Sequence, residues 1–325
     1  MQAIVQRDYG GPEVLVLEDV LEPDPAAGQV RIAVSAAGVH LLDATLREGV
    51  AGPFGRAALP MTPGREVAGV VDAVGPDVEG SWLGRRVVAH LGVLSGGYAA
   101  RALAPAAALI PLAEHVDEAE AVAMVGTGRT ALGILEEAAI GPDDTVLVTS
   151  AAGGLGTLLV QAGVQAGARV VGVAGGAAKS ALVASYGAHP VDYLEPGWPA
   201  EVAALLGAER PVTVALDGVG GTVGRAAFDL VAPGGRLVMF GWTAGEAIAL
   251  SAQDVFERGV AVTAAIGARM FARPDGIQGL AREAVDRLAA DEWRPATTRF
   301  PLAEAAEAHR ALSERRTTGK VVLLT

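Results

Sequence analysis

The sequence predicts an α/β protein in which a β-rich, partly closed barrel is followed by a doubly wound parallel sheet. Three observations indicate this fold class. Short apolar segments broken by Gly and Pro turns fill residues 1–110, helical spacing begins near residue 117, and apolar runs alternate with helical patterns from residue 145. Because 325 residues are too many for one small core, we expect two domains.

The first part of the chain predicts a series of short strands. They are QAIVQR (2–7), VLVLEDV (14–20), QVRIAVSAAG (29–38) and GRRVVAH (84–90), with GREVAGVVDAVG (64–75) between the last two as two strands kinked at Gly69. Turn segments such as YGGPE and EPDPAAG separate them. Closely spaced strands of this kind are typical of a partly closed antiparallel barrel.

The second part predicts a parallel sheet covered by helices. The strands are TVLVTS, ARVVGVAG, HPVDY, PVTVALDGVG and GGRLVMFG, and an amphipathic helical segment follows each of the first four. VAVTAAIGA (260–268) predicts a last strand. KVVLL closes the chain as a strand, and if that strand rejoins the β-rich part, the first domain is discontinuous.

Composition excludes several classes of function. The net charge of −12 argues against a broad nucleic-acid footprint, which needs clustered Lys and Arg. With no cysteine, the chain has no disulfide and no thiolate zinc site. No apolar run reaches the ~20 residues that span a bilayer, and no secretion signal is evident, so we expect a cytoplasmic protein without membrane contact.

A glycine-rich turn, TSAAGGLGTLL (149–159), follows the first strand of the parallel part. A pyrophosphate needs backbone without Cβ atoms and a helix N-terminus aimed at it. The dinucleotide fingerprint G-x-G-x-x-G maps onto Ala151, Gly153 and Gly156, with alanine in the first place. The strand-to-helix context favours a dinucleotide site over a simple packing turn.

The next strand indicates which dinucleotide. NAD sites usually carry Asp or Glu at its end to hold the ribose 2′-hydroxyl. Here the strand ends Val-Ala-Gly-Gly (173–176), and Lys179 follows. An open turn and a cation suit a 2′-phosphate, and therefore NADPH, although a lone lysine at a helix start is often simply solvated.

Several stretches together resemble one protein family. They are SAAGVHLLD (35–43), TPGREVAGVVDAVGPDV (62–78), GGYAA (96–100), TSAAGGLGTLLVQ (149–161), LDGVGGTVG (216–224), APGGRLVMFG (232–241) and RRTTGKVVLL (315–324). The chain resembles the medium-chain dehydrogenase/reductase superfamily, in its zinc-free, zeta-crystallin-like quinone oxidoreductase branch. The resemblance implies a discontinuous GroES-like catalytic domain (1–118 and 266–325) around an inserted Rossmann domain (119–265).

The resemblance also implies the cofactor residues. Lys179 and Arg315 match the cations that meet the 2′-phosphate, Tyr193 matches a tyrosine near the adenine, and Thr130 lies where a threonine approaches the nicotinamide. Arg315 could equally be an exposed basic helix end. The remaining cofactor-binding positions are Ala152, Gly153, Gly154, Leu155, Gly175, Val219, Phe240 and Gly241. Asp217, in the DGVGG turn, is expected to shape this site rather than act as a base.

The zinc-dependent branch places its catalytic metal ligands at positions that here carry His40, Arg65 and Thr127. A guanidinium repels a cation and threonine is a poor zinc ligand, so we expect no metal. The quinone reductases usually have Asn in place of His40 and a small or apolar residue in place of Arg65.

These two departures are the candidate catalytic residues. His40 either donates a proton or anchors a carbonyl, or it only bonds the cofactor as Asn would. Arg65 either holds an anionic substrate group or an enolate, or pairs with Glu66 or Asp43. His90 and His309 have no motif context and are expected to be structural or solvated.

The predicted function is NADPH-dependent hydride transfer to a quinone or an α,β-unsaturated carbonyl, without zinc. The alternatives are an enone or enoyl-thioester reductase of secondary metabolism and an NADPH-binding protein with little turnover. The branch commonly pairs its Rossmann sheets edge to edge, so a homodimer through VAVTAAIGA is expected.

Overall fold

The computed structural model describes residues 1–51, 55–92 and 95–325, without the side chains of residues 268 and 269. The chain divides into two compact units. The first comprises Met1–Arg129 and Ala281–Thr325, and the second comprises Thr130–Leu280. The sequence-based domain boundaries, 118/119 and 265/266, fall earlier in the chain at both junctions and remain a prediction.

The first unit is built on strands that pair antiparallel, except for the parallel pair β14 and β15. A two-stranded sheet pairs β1 with β2, and a seven-stranded sheet has the order β14-β15-β3-β4-β5-β7, with β6 also paired to β3. The bounds are β1 Gln2–Gln6, β2 Leu15–Asp19, β3 Gln29–Val39, β4 Glu66–Val74, β5 Arg86–His90, β6 Arg101–Pro105, β7 Leu109–Pro111, β14 Thr297–Pro301 and β15 Lys320–Leu324. Since β15 pairs with β3, the C-terminal strand does rejoin the β-rich part.

One strand differs from its prediction. Residues 64–75 do not form two strands kinked at Gly69; β4 is one strand that pairs with β3 along its length. The register shifts twice, between Arg31 and Ile32, where β4 has the extra residue, and between Val34 and Ala36, opposite Gly69, where β3 has it. A Cβ on Gly69 would overlap the carbonyl oxygen of Ala33, so glycine is needed for close backbone approach rather than for a bend.

The second unit contains a six-stranded, fully parallel sheet in the order β10-β9-β8-β11-β12-β13. The bounds are β8 Thr145–Thr149, β9 Arg169–Ala174, β10 His189–Asp192, β11 Val212–Asp217, β12 Val231–Met239 and β13 Ala261–Ala264. The central strands β8, β9 and β11 are almost entirely buried, which explains their continuous apolar runs. This order is the doubly wound arrangement that the sequence predicts.

The helices of the described residues connect these strands. Their bounds are α1 Leu41–Arg47, α2 Glu118–Ala123, α3 Arg129–Ala138, α4 Gly154–Gln165, α5 Ala177–Ser185, α6 Trp198–Leu206, α7 Gly221–Asp229, α8 Ala252–Arg258, α9 Ala268–Phe271, α10 Gly276–Ala289 and α11 Ala305–Ser313. A π-helical turn at Met124–Gly128 joins α2 to α3. Among the described residues, no helix has the length and apolar character that a bilayer crossing requires.

Candidate active site and dinucleotide site

The glycine turn ends β8 and begins α4. Ser150 adopts a left-handed conformation (φ 52°), and the N-cap of α4 is Gly153, which has no side chain to cap the helix. A Cβ on Gly156 would overlap the carbonyl oxygen of Ser150, so only glycine lets the helix leave the strand so closely. The first-turn N–H groups of α4, which include those of Gly154 and Leu155, therefore follow an N-cap that supplies no side-chain acceptor.

The end of β9 carries no acidic side chain. β9 finishes at Ala174, and Gly176 (φ 87°) is the N-cap of α5, again without a side-chain cap. The nearest carboxylate, on Asp192, accepts hydrogen bonds from the backbone N–H groups of Gly176 (3.0 Å) and Leu194 (2.9 Å). The carboxylate of Asp192 therefore stabilises the backbone of the turn between β9 and α5.

Two of the predicted cofactor residues lie next to this turn. Lys179 is half-buried in the first turn of α5. Tyr193 is also half-buried, and a Cβ on Gly175 would stand 3.2 Å from its ring and hydroxyl. Gly175 therefore lies directly against Tyr193, and both belong to one surface at the carboxyl edge of the sheet.

The third element of this edge is the turn after β11. Asp217 is buried and accepts hydrogen bonds from Thr149 Oγ1 (2.7 Å) and from the N–H groups of Val219 (3.1 Å) and Gly220 (3.0 Å). Three donors leave the carboxylate engaged as a structural acceptor, as the sequence interpretation expects. Asp217 thus ties the ends of β8 and β11 together.

The remaining cofactor candidates of the second unit lie near the ends of β8 and β11 or at the start of α3. The ring of Phe240 packs against Gly218, and a Cβ on Gly241 would stand 3.2 Å from the Gly218 carbonyl oxygen. Ala152 is buried in the glycine turn. Thr130 is half-buried in α3, one residue after its start.

Arg315 belongs to the first unit. It follows α11 in a left-handed conformation (φ 58°) and is exposed. Its neighbour Arg316 is ion-paired with Glu307 (2.8 Å) and Glu314 (2.7 Å). The guanidinium of Arg316 is therefore already paired with two carboxylates.

The first unit contains a buried cluster of charges around His40. Nε2 of His40 lies 2.9 Å from Glu66 Oε1 and 2.8 Å from Lys320 Nζ, and Lys320 Nζ lies 2.8 Å from Glu66 Oε2. Glu66 is fully buried and Lys320 nearly so. These three side chains form a closed triangle of contacts, which we call the His40–Glu66–Lys320 triangle.

Sheet register explains how the triangle forms. β3 ends at Val39, directly before His40, and its two neighbours are β4 and β15. Val321 pairs with Val39, which brings Lys320 beside His40, while β4 begins at Glu66 on the other side. Three residues distant in sequence therefore meet at one end of β3.

Two glycines make room for the buried carboxylate. A Cβ on Gly38 or on Gly126 would overlap an oxygen of Glu66. Gly126 lies in the π-helical turn, beside buried Thr127. The unusual helical turn thus brings backbone without a side chain against Glu66.

The charges of the triangle shift its pKa values. Burial alone would raise the pKa of Glu66, but the imidazole of His40 and the ammonium of Lys320 hold it far below its usual range. Burial and the repulsion of Lys320 oppose protonation of His40, yet Glu66 and Asp43 together outweigh them, so the pKa of His40 is raised. Glu66 is therefore a permanent anion.

His90 lies close to the same carboxylate. Burial, followed by the field of Arg129, lowers its pKa to about 4, and its Nδ1 accepts the Gly92 N–H (3.0 Å). His90 is therefore neutral at physiological pH and has a structural hydrogen bond.

A second buried network supports the helix that follows His40. Asp43 Oδ2 accepts the His40 backbone N–H (2.8 Å) and the Tyr98 hydroxyl (3.2 Å). His309 contacts Tyr98 through Nε2 and Arg47 Nη1 through Nδ1, both at 3.1 Å. Because arginine only donates, Nδ1 of His309 accepts and its proton resides on Nε2.

This network has a bearing on His309 and Arg65. Burial lowers the pKa of His309 to about 4, with Arg47 reinforcing the effect and Asp43 opposing it, so His309 is structural, one of the two roles expected for it.

Arg65 is half-buried in the segment before β4, and its carbonyl accepts the Leu91 N–H (2.7 Å). The carboxylates of Glu66 and Asp43 are engaged by His40, Lys320 and Tyr98.

Sequence reasoning singled out His40 and Arg65 but gave no role to Lys320, Tyr98 or His309 in this cluster. One signal was available for two of its members. Glu66 and Lys320 are charged residues at the starts of otherwise apolar strands, and such residues are rarely buried unless they are paired. Their pairing with each other needed the strand order.

His40, Arg65 and Thr127 occupy the positions that hold the catalytic metal in the zinc-dependent branch. Within 1–51, 55–92 and 95–325, no three His, Cys, Asp or Glu side chains are grouped to hold a metal ion. His40 instead contacts a cation, Lys320, at 2.8 Å. An ammonium at that distance would repel a bound metal cation.

Comparison with known proteins identifies the family. One family model, described as an alcohol dehydrogenase GroES-like domain, matches residues 26–114, and another, described as a zinc-binding dehydrogenase, matches residues 186–323. The quinone oxidoreductase of Pseudomonas aeruginosa is 31% identical over 97% of both chains. The chain belongs to the zinc-free quinone oxidoreductase branch of the medium-chain dehydrogenase/reductase superfamily.

Two further proteins are similar over the whole chain. The 2-haloacrylate reductase of a Burkholderia species is 31% identical over 100% of this chain and 98% of its own. The structure of Escherichia coli quinone oxidoreductase complexed with NADPH superposes with a TM-score of 0.87, at 26% identity and full coverage of both chains. The GroES-like and Rossmann parts expected from the resemblance are therefore confirmed.

Proposed function

We propose that the protein is an NADPH-dependent oxidoreductase that reduces quinones or α,β-unsaturated carbonyl compounds without a metal. The observation that carries this proposal is the carboxyl edge of the parallel sheet, where an uncapped helix N-terminus follows a glycine turn and no acidic residue ends β9. Relatives along the full chain are a quinone oxidoreductase and a 2-haloacrylate reductase, which supports both acceptor classes.

The residues present fit NADPH. Gly156 lets α4 begin close against the end of β8, and the N-terminus of α4 offers the backbone N–H groups that a pyrophosphate would accept. An acid that would repel a 2′-phosphate is missing from the end of β9, while Lys179 stands in the next turn. Tyr193 beside Gly175 offers a flat face for the adenine end.

The cofactor, when bound, supplies the hydride, and this chain's residues orient the reactants and stabilise charge. His40 and Arg65 are the groups of the first unit that we assign to the acceptor. Arg65 stabilises negative charge that develops on the acceptor oxygen, and His40 provides a proton or holds the carbonyl. Arg65 and the Lys320 ammonium beside His40 do not suit a metal ion, so metal-assisted oxidation of simple alcohols is not part of this proposal.

Titration of the purified protein with NADPH and NADH, followed by fluorescence, tests the cofactor. We expect NADPH to bind at least about tenfold more tightly, which corresponds to about 1.4 kcal/mol. Turnover is then measured with a quinone and with an enone as acceptors. Binding of NADPH without turnover of either acceptor would leave a binding protein, and equal binding of both nucleotides would contradict the assignment of Lys179.

A second candidate activity is reduction of enones or enoyl thioesters in place of quinones. His40 favours it, because this position commonly carries Asn in the branch, and an enone that has accepted a hydride still needs a proton on carbon or oxygen. A kcat/KM for an enone well above that for a quinone would support this candidate.

The predicted assembly is a homodimer formed through β13. This strand ends the order of the six-stranded sheet, so its outer edge is available to pair with a second copy. Sedimentation of the wild type and of Ala264→Pro tests it, since the Ala265 N–H donates to Met239 of β12, so the N–H of Ala264 points to the outer edge and proline removes it. A wild-type monomer would contradict the prediction. We also propose a cytoplasmic location, which cell fractionation tests.

A further inference from the structure

One arginine of the first unit lacks a partner in the described part of the chain. Arg129 is half-buried at the start of α3, and neither a hydrogen bond nor an ion pair joins its guanidinium to the residues that the structure describes. Arg31, Arg86 and Arg236 are also half-buried, and they are ion-paired with carboxylates at 2.8, 2.8 and 2.7 Å, respectively. Arg129 is therefore a sheltered cation whose anion is missing from the described residues.

Burial makes this guanidinium a good binder of anions. Loss of hydration lowers the pKa of Arg129, and the attraction of Glu66 opposes that shift without cancelling it. An arginine nevertheless stays protonated, so its N–H donors keep a positive charge with less water around them. Hydrogen bonds between a cation and an anion are about twice as strong as neutral ones. An anion that reaches Arg129 is therefore bound more tightly than at a fully hydrated arginine.

Glu66 does not serve as that anion. Its Oε1 lies 2.9 Å from His40 Nε2 and its Oε2 lies 2.8 Å from Lys320 Nζ, so both oxygens already have a partner. Arg129 acts on Glu66 through its charge, from beyond ion-pair contact. Since Lys320 already balances the negative charge of Glu66, the charge of Arg129 is not matched by this carboxylate.

The π-helical turn determines where Arg129 lies. The Arg129 N–H donates to the carbonyl oxygens of Met124 and Gly126. A Cβ on Gly126 would overlap an oxygen of Glu66 and stand 3.5 Å from the ring of His90, so this turn packs against both side chains. Burial and, after it, the charge of Arg129 lower the pKa of His90, which indicates that the guanidinium lies near that ring. Arg129 therefore belongs to the part of the first unit that contains the triangle.

We propose that Arg129 binds a carboxylate on the acceptor, and that enones carrying a carboxylate are therefore the preferred substrates. The inference rests on the proposed function and names its substrate class. The acceptor carbonyl is assigned to His40, which contacts Glu66, and to Arg65, which precedes Glu66 in the chain. Arg129 acts on the same Glu66, so the residues assigned to the carbonyl and to the carboxylate are grouped around one buried anion.

A carboxylate matches the geometry of a guanidinium. The planar fork donates two parallel N–H···O bonds to the two carboxylate oxygens. Arg65 is less suited to this task, because it already interacts with other groups of the protein. Arg129 takes no part in hydride or proton transfer, and no bond of the carboxylate changes. A neutral quinone offers Arg129 no anion, so the arginine distinguishes acceptors by their charge.

The first test compares one enone with and without the charge. β-Acetylacrylate and its methyl ester share the enone and differ in the carboxylate. Arg129→Met keeps an unbranched side chain and removes the cation. We expect it to lower kcat/KM for β-acetylacrylate about tenfold or more and kcat/KM for the ester about twofold or less. The intrinsic reactivities of the two acceptors cancel, because each variant is compared with the wild type on the same acceptor.

Two further variants control this comparison. Arg129→Lys keeps the charge without the planar fork and should restore part of the loss with β-acetylacrylate. Arg282→Gln removes an arginine from an exposed position on α10 and should change neither acceptor. Equal losses with acid and ester in Arg129→Met, or the same loss with the acid in Arg282→Gln, would overturn the proposal.

The second test needs no turnover. Levulinate, the saturated counterpart of β-acetylacrylate, and methyl levulinate are titrated into the protein with and without NADP⁺, and binding is followed by NMR. We expect levulinate to bind about tenfold more tightly to the wild type than to Arg129→Met, and methyl levulinate to bind both proteins alike. Equal affinity of levulinate for the two proteins, or no binding to the wild type, would overturn the proposal.

Thermal unfolding separates a binding role from a structural one. Arg129→Met removes a sheltered cation without breaking an ion pair among the described residues, so it should unfold at the wild-type temperature or above. A clearly lower unfolding temperature together with equal losses for acid and ester would mean a structural role. NADPH affinity should be unchanged, and a loss of about tenfold in Arg129→Met would assign the arginine to the cofactor and overturn the proposal.

The outcomes separate this inference from the proposed function. A wild type that reduces neither quinones nor enones would refute the proposed function, while the levulinate titration would still decide whether Arg129 binds a carboxylate. Normal turnover of both β-acetylacrylate and its ester by Arg129→Met would refute the inference and leave the proposed function intact.

Discussion

Thr149 Oγ1 donates a hydrogen bond to Asp217 Oδ1 at 2.7 Å and so joins the carboxyl ends of β8 and β11. The same hydroxyl accepts the Gly218 N–H at 3.0 Å. Two neighbouring strands of the parallel sheet are therefore locked at the edge where the glycine turn begins. Since ligands of open α/β sheets bind at this edge, we expect the pair to shape the proposed dinucleotide site.

Replacing Asp217 tests that role. Asp217→Asn puts an amide where two backbone N–H groups and one hydroxyl donate, so at least one donor loses its acceptor. We expect a loss of stability of about 1–3 kcal/mol and weaker NADPH binding, measured by urea unfolding and fluorescence titration. Asp143→Asn, at an exposed carboxylate, is the control and should match the wild type. An unchanged Asp217→Asn would mean that the turn holds without the carboxylate.

The glycine turn yields a second prediction. Gly156→Ala places a methyl group against the carbonyl oxygen of Ser150, and a backbone atom is not able to move aside cheaply. We expect destabilisation of about 1–3 kcal/mol and loss of NADPH binding. Gly141→Ala is the matched control, because its Cβ would meet no atom within 4 Å. Equal NADPH affinity in both variants would place the dinucleotide elsewhere.

The cations proposed for the 2′-phosphate form a third prediction. Lys179→Ala and Arg315→Ala should each reduce the preference for NADPH over NADH, by up to about tenfold or 1.4 kcal/mol. Arg316→Ala controls for the loss of a surface charge, since Arg316 is held by Glu307 and Glu314. NADH affinity should stay constant throughout. If Arg316→Ala has the larger effect, the assignment of Arg315 is wrong.

The pH dependence of stability is a fourth prediction. His309 has its pKa lowered from 6.5 to about 4, so the unfolded chain binds its proton more readily than the folded one. Its contribution is present above about pH 6.5 and is lost as the pH falls through about 4, with up to about 3 kcal/mol involved. Urea unfolding from about pH 7 to about pH 4 should show this loss.

His309→Gln controls for the other groups that titrate in this range. An amide does not titrate there, so the variant should be less stable at neutral pH but lose less stability on acidification. The difference between the two slopes is the part that belongs to His309. Parallel slopes would show that His309 is not the group responsible.

Much of the fold was accessible to prediction because it depends on local patterns. The apolar runs at β8, β9 and β11 and the glycine turn of residues 150–156 are contiguous in sequence, and each pattern predicts its element directly. The two-strand interpretation of residues 64–75 was wrong. Gly69 lies opposite an irregularity in the partner strand β3 and allows the two backbones to approach closely. The pattern of residue types along β4 alone does not reveal which strand lies beside it.

By itself, the sequence determined the α/β class, the family, the glycine turn and the absence of an acid after β9, because these follow from residue type and spacing. Only the tertiary structure decided that His40, Glu66 and Lys320 meet. Their contact depends on β4 and β15 flanking β3 in a particular register, a long-range choice. Once the register is set, burial strengthens every charge in the triangle, since little water remains to screen it.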